Sequence, residues 1–347
     1  MMRIRIRRWT VVFTVITLLM LTLTGCWNRR ELNELLIASA LGFDKRGECF
    51  VVSAQLINAS EIAAKNGSSG RMPIVTQQLA GGTTIFESIR QLTTTTPRKI
   101  YSSHIRILVI GEELAKEGIA QVLDVLSRDH ELRTDFYILI AKNANAMDVL
   151  KLLTPLDKIP SNKLYSSLDS AAESWGVTAK TDLHKVIFEL VNKGQDPALA
   201  AIRIIGDPAL GQTDENLNSV RPAVIQQYDG IAVFLGDKLV GWLNSQESKG
   251  YNYMLGHIKS TVESLACPGG GHTGIEVIRT SKRMAGSVTD GRPSVRVELR
   301  VEANVGEVGC KVDVGKQETI HELEQKTSEQ IKASMDAAVK KAKQYRS

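Results

Sequence analysis

The residue best placed to do chemistry is Cys26, because of what precedes it. Leu23-Thr24-Gly25-Cys26 sets a large apolar residue three positions upstream, small residues at the next two, then a thiol. That is the pattern of a lipobox. A thiol in this setting takes a diacylglyceryl group, and cleavage in front of it leaves Cys26 as the first residue of the mature chain. Each buried lipid CH₂ contributes roughly 0.8 kcal/mol, so two or three acyl chains hold a soluble domain at a bilayer almost irreversibly. Cys26 is the predicted lipidation site.

The elements around Cys26 agree with export. Arg3, Arg5, Arg7 and Arg8 form a basic start, and Trp9 to Leu23 is an apolar run of 15 residues that includes four threonines. A membrane span needs roughly 20 apolar residues, so residues 1–25 read as a cleaved lipoprotein signal peptide rather than an uncleaved anchor helix. In either case the bulk of the chain faces away from the cytoplasm. The full chain carries 43 basic and 38 acidic residues, and the four arginines before Cys26 have no acidic counterpart there. The mature chain is left with 39 against 38, a net charge of +1. With 5% aromatic residues and no basic stripe, nothing points to nucleic acid.

Other constellations are weaker. Cys49, Cys267 and Cys310 remain after Cys26; Cys267 and Cys310 can pair in an oxidising compartment, or stay buried as free thiols. There is no CxxC, GxSxG, Walker A or HExxH. Cys267-Pro268-Gly269-Gly270-Gly271-His272-Thr273-Gly274 is rich enough in glycine to cradle an anion beside a histidine base, but it reads better as a connection. That connection would lead from a helix around Tyr253 to Leu265 into a strand at Ile275 to Ile278. Asp129-His130-Glu131 with Asp135 offers ligand types, yet neighbours at a helix end point to different sides and are better explained as caps. No catalytic, cofactor or metal residue is assigned.

The elements that position these residues follow from periodicity. Ile37–Phe43 and Phe50–Ile57 read as a hairpin about Lys45-Arg46-Gly47-Glu48, Ala63–Pro73 as a loop, and Thr84–Leu92 as a helix. Ile105–Ile110, Glu112–Ser127, Phe136–Ala141 and a helix capped by Asn145 alternate strand, helix, strand, helix, which makes parallel pairing plausible. Ser161–Trp175 and Leu183–Asn192 are helical. Tyr228–Phe234 and Asp237–Leu243 form a second hairpin about Gly236-Asp237. Ser294–Val305 alternates apolar and charged residues as a half-buried strand does. Thr319 and Glu322 have capping-box spacing at the start of a last helix with the stripe Ile320, Leu323, Ile331, Met335 and Ala338.

The expected class is α+β, with two or three mixed α/β domains and a C-terminal antiparallel sheet packed with long helices. The expected boundaries are 1–25 signal peptide, 26–205 an N-terminal α/β region of one or two domains, 206–227 a connection, and 228–347 a C-terminal domain.

Several of these segments resemble the Ger(x)C lipoproteins, the C subunits of spore germinant receptors. They are Cys26-Trp27-Asn28-Arg29-Arg30-Glu31-Leu32, then His104 with Ile110-Gly111-Glu112-Glu113-Leu114-Ala115, and Arg128-Asp129-His130-Glu131-Leu132-Arg133. Gly230-Ile231-Ala232-Val233-Phe234 with Lys238-Leu239-Val240-Gly241-Trp242-Leu243 is similar to the opening of that family's C-terminal germination-protein domain. Members usually continue past the last helix into a closing strand, so completion of the last sheet is open for a chain that stops at Ser347. The resemblance implies a non-enzymatic, membrane-anchored lipoprotein at the outer face of the spore inner membrane. It would act with A and B membrane subunits in nutrient-triggered germination, with direct nutrient contact left open. The alternatives are a lipid-anchored solute-binding protein of a transporter, and an exported hydrolase for which His272 is the best candidate.

Overall fold

The computed structural model describes residues 2–22, 34–57, 75–192 and 194–347. Helix α1 (Met2–Thr22) stands as its own unit. Its Thr14 and Thr17 hydroxyls donate to carbonyls one turn back, at Thr10 and Phe13 (2.8 Å each), while Trp9 and Phe13 are exposed. Among the described residues no helix is long and apolar enough to cross a membrane.

The rest is built on one large sheet whose centre is apolar on both faces. β1 (Leu35–Arg46), β5 (Ile107–Gly111), β6 (Tyr137–Ala141) and β7 (Ala198–Ile205) run parallel in that order. Hairpins extend both edges: β2 (Cys49–Ile57) and β3 (Val75–Gly82) beside β1, and β8 (Ile225–Leu235) and β9 (Lys238–Leu243) beside β7. β4 (Lys99–Tyr101) also pairs with β1. Strand β5 shows why the centre is dry. Leu108 and Ile110 join one core with Phe43, Ile138, Leu126 and Val186, while Ile107 and Val109 join a second core with Leu139, Val149 and Leu164. A run apolar at every position belongs to a parallel strand covered on both sides.

Helices supply those covers. On one side lie α2 (Ile85–Gln91), α4 (Ala120–Arg128) and α7 (Leu183–Val191); on the other lie α5 (Ala146–Leu150) and α6 (Pro160–Ser174). The α+β class is therefore a mixed sheet between helical layers, with a separate antiparallel sheet toward the C-terminus. Segment 206–227, read from sequence as a connection between domains, contains the short helix α8 (Asp214–Asn218) and joins β7 to β8. These two strands pair antiparallel within the same sheet.

Three sequence expectations give way. The single helix at Glu112–Ser127 is two, α3 (Glu112–Glu117) and α4, because Gly118 takes φ +139° and turns the chain toward the β8–β9 hairpin. There the Ile119 amide donates to the Asp237 carbonyl at 2.9 Å. The helix expected around Tyr253–Leu265 is α9 (Ser245–Leu255), stopped by left-handed Gly256, and Thr261–Ala266 is the strand β10 with strictly alternating burial. The capping box expected at Thr319 and Glu322 does not form. α10 (Gln317–Tyr345) starts earlier, from Lys316, without a side-chain cap. The capping box sits instead at Asn244 and Glu247, opening α9. The Ala63–Pro73 loop lies outside the described residues.

Asn145 is the N-cap of α5, but its side chain does not cap; a buried carboxylate from β1 does. Asp44 accepts from the amides of Ala146 (2.7 Å) and Met147 (2.9 Å) and is only 4% exposed. Burial pushes its pKa up, against the two donors that favour its charged form. Removing the carboxylate strands two amides in a site water cannot reach. Asp44→Ala is therefore expected to lower unfolding free energy by about 2–3 kcal/mol in urea titrations.

The second sheet carries β10 (Thr261–Ala266), β11 (His272–Thr289) and β12 (Arg292–Val308) in that order, all antiparallel. Its small core joins Tyr253 and Ile258 to Val277 and Ile331, with Leu299, Val301 and Met335 against them. Helices α9 and α10 cross closely at Gly250, where an added Cβ would overlap the Ser334 carbonyl oxygen. The crossing can open only by moving a 29-residue helix off its core. Gly250→Ala should cost about 2 kcal/mol or more, read as a lower melting temperature with the far-ultraviolet spectrum retained.

Candidate functional site

Cys26, the predicted lipid attachment point, lies outside the described residues, as does the segment Trp27–Asn33 that follows it. The remaining candidates divide into chemistry-bearing clusters and shaped surfaces.

The glycine-rich stretch is the turn of the β10–β11 hairpin, and it is stapled. Cys267 and Cys310 form a disulfide that joins this turn to the chain leaving β12, while Cys49 is an exposed free thiol. Within the turn the Cys267 amide donates to the Gly271 carbonyl at 3.1 Å, and the Gly309 amide to the His272 carbonyl at 2.9 Å. The His272 side chain is exposed. Of the two roles open to Cys267 and Cys310, pairing is the one realised.

Asp129, Glu131 and Asp135 are each engaged within the fold. The Asp129 carboxylate accepts from the Glu131 amide at 2.9 Å, Glu131 pairs with Lys99, and Asp135 pairs with Arg133 at 2.7 Å. Among the described residues no three His, Cys, Asp or Glu side chains come together to hold a metal ion.

At the carboxyl ends of the parallel strands, where open α/β sheets commonly bind ligands, a basin of about 680 Å³ is lined by Glu112, Lys116, Lys142, Asn143 and Arg203. Several of its charges are paired. Lys142 Nζ lies 2.8 Å from Asp229, Arg203 Nη2 donates to Gln227 at 2.8 Å, and Lys116 pairs with Glu112 at 2.6 Å. Glu112 also accepts from the amide of Asn143, which adopts φ +54° to present it. Its paired charges and amides can bind and orient polar groups.

Lys249, not singled out from sequence, is 8% exposed between α9 and β10. Its Nζ donates to the Val262 carbonyl at 2.6 Å, lies 3.6 Å from Glu263, and sits 4.3 Å from the centre of the Trp175 ring. Tyr253 donates to the same Glu263 at 2.9 Å. Burial lowers the Lys249 pKa and the adjacent Glu263 opposes that shift. The cluster ties α9 to β10 and to the chain after α6.

Among the described residues two apolar surfaces stand out. One is a hollow of about 570 Å³ between α2 and α4, with Phe86, Ile89, Val125 and Leu132 at its wall. The other is a groove of about 990 Å³ between β12 and α10, floored by Val297, Leu299 and Val301 and walled by Leu323, Ile331 and Met335. The sequence signal for the groove was already visible in the alternation of Ser294–Val305 and in the stripe on the last helix. Where the two fail to meet was not.

The segments that carried the resemblance hold architectural posts. Ile110–Ala115 is the β5–α3 junction, and the Arg128–Arg133 run closes α4. Gly241 in β9 admits the ring of Tyr345, the last residue of α10, whose hydroxyl reaches the Trp242 amide at 3.4 Å. An added Cβ at Gly241 would overlap that ring.

Comparison with known proteins covers both halves. A family described as spore germination protein N-terminal domain matches residues 28–204, and one described as spore germination B3/GerAC like, C-terminal, matches residues 229–347. Spore germination protein KC of Bacillus subtilis (strain 168) is 31% identical, over 97% of this chain and 84% of that protein. Spore germination protein B3 of the same organism is 23% identical, over 84% of this chain and 73% of that protein. A crystal structure of the GerBC protein aligns over 87% of this chain and 81% of that one, with a TM-score of 0.47 and 17% identity.

Proposed function

Because the chain belongs to the GerAC-like family of spore germination proteins, we propose that it is a lipid-anchored, non-catalytic subunit of a spore germinant receptor. One observation carries the reading: the first family match begins at residue 28, two positions after the lipobox cysteine, and the two matches together take in most of the chain that follows. A lipobox thus directly precedes a germination domain.

The mechanism that follows is structural. Acyl chains on Cys26 confine the protein to the plane of the spore inner membrane, on its outer face. Confinement raises its effective concentration beside membrane-embedded A and B subunits, so modest surfaces suffice for assembly. The internally neutralised basin and the capped Asp129–Asp135 turn support a part that positions partners rather than one that turns over substrate. A solute-binding protein needs two α/β lobes about a cleft, and the continuous sheet from β3 to β9 supports a scaffold instead.

The experiment is co-purification from spore membranes solubilised in mild detergent. An affinity-tagged chain should bring down the products of the adjacent A-type and B-type receptor genes. Recovery alone, or recovery with transporter permease subunits, would contradict the assignment.

A further inference from the structure

Pairing with β10 ends at Val277, so from Arg279 onward β11 and β12 run on as a two-stranded ribbon. Residues directly opposed across such a ribbon share a face. On one face Val297, Leu299 and Val301 look toward α10. The other face carries Arg279 and Arg283 on β11 and Arg292, Arg296 and Arg300 on β12, all exposed. Its acids are Glu302, opposite Arg279 with 3.5 Å between their charged atoms, and Glu298, opposite Arg283. Five arginines against two glutamates give this face a net charge of +3, although the mature chain as a whole has only +1. The three arginines of β12 stand opposite Thr289, Ala285 and Ser281, and no carboxylate among the described residues pairs with them. Small partners leave each guanidinium standing clear. At about 3.4 Å per residue the three form a row about 27 Å long. The row does not depend on what pairs with the outer edge of β12, because a further strand would lie in the plane of the sheet.

We propose that this arginine face is a membrane-docking surface, which lies against the phosphodiester headgroups of anionic lipids. Arginine's planar fork of donors matches phosphate oxygens. The other side chains of the face are serine, alanine and threonine, with no aromatic or large aliphatic residue among them. A protein partner is gripped by apolar anchors seated in pockets, and single-stranded nucleic acid by aromatic stacking; this face offers neither. A flat row of positive charge suits a partner that is itself flat, charged and fluid. The choice of a lipid rests on the anchored reading above, which sets the chain beside a bilayer. There the row supplies an electrostatic signal that adds to the acyl chains, as polybasic patches do. It also sets an orientation: with the arginines against the headgroups, α10 on the opposite side of the sheet faces away from the bilayer.

Vesicle co-sedimentation of the full chain carrying Cys26→Ala tests the proposal, since no acyl chain then contributes. Vesicles of phosphatidylcholine with one third phosphatidylglycerol should bind it more tightly than phosphatidylcholine alone, and should release it as salt is raised. Adding Arg292→Gln, Arg296→Gln and Arg300→Gln should weaken that binding roughly hundredfold, at about fivefold per charge near an anionic surface, with the melting temperature unchanged. Lysine at the same three positions should bind nearly as well as arginine, because the surface reads charge. Removing equal charge from α10 with Lys332→Gln, Lys340→Gln and Lys343→Gln should change little, because that helix lies on the other side of the sheet. A glutamine triple as tight as the unaltered row would overturn the proposal, as would a lysine triple as weak as glutamine. Equal loss from the α10 triple would overturn it too, as would tighter binding to a duplex oligonucleotide than to the vesicles. Such a failure would leave the anchor standing, since acylation of Cys26 is read separately from the mass of the native protein.

Discussion

Cys26→Ala is expected to move the protein from the membrane to the aqueous fraction and to abolish the germination response that depends on it. The argument is one of magnitude. Each methylene withdrawn from water is worth roughly 0.8 kcal/mol, and one acyl chain alone gives only marginal binding, so two or more are needed for stable anchoring. Alanine removes the thiol, hence all of the chains attached through it. Among the described residues no helix is long and apolar enough to cross a membrane. Membrane partition should fall by several orders of magnitude. Fractionation of spore extracts and germination of spores carrying the variant read the two consequences separately. Wild-type retention with a wild-type response would contradict the anchoring scheme.

The second large effect is expected from the disulfide. Cys267 and Cys310 are separated by 43 positions, and closing a loop of that length in the unfolded chain stabilises the fold by roughly 4 kcal/mol on the chain-entropy account. The staple matters here because its sheet has little else. Its core is the small cluster around Tyr253, Ile258, Val277 and Ile331, and the far ends of β11 and β12 are exposed. Cys267→Ser and Cys310→Ser should each lower stability by about 3–4 kcal/mol in denaturant titrations, and each should be mimicked by dithiothreitol on the unaltered protein. Cys49→Ser, which removes an exposed free thiol at the start of β2, should change nothing. Equal stability of all three variants would show that the bridge does not constrain the fold.

Much of the architecture was legible because it is local. The buried run at Ile107–Gly111, the hairpins about Gly47 and Gly236, and the alternation along β12 each announce themselves within a dozen residues. Errors arose where the deciding partner is distant or a single residue redirects the chain. Gly118 splits a helix whose apolar spacing is otherwise continuous, because it must deliver Ile119 to Asp237. Thr261–Ala266 was absorbed into the preceding helix because Gly256 was not read as its terminator, although alternation is plain once the strand is seen against β11. The cap on α5 comes from Asp44, about a hundred residues upstream, and no short-range signal names it. Pairing across segment 206–227 was hidden for the same reason: turn-rich composition marks a connection but not what lies on either side of it.

The site divides along the same line. A lipobox is read from four adjacent residues and needs no fold, so the proposal for Cys26 rests on sequence alone. The groove beside β12 depends on how far a strand's edge stands from a helix some thirty residues later. Its stripe and its alternation were visible, and the gap between them was not.

The anchored-subunit account meets its most direct test in intact mass spectrometry of the native protein extracted from spore membranes. It predicts a chain beginning at Cys26 and carrying the mass of a diacylglyceryl group on that sulfur. An unmodified Cys26 thiol, in a protein recovered from the aqueous phase of a detergent partition, would contradict it.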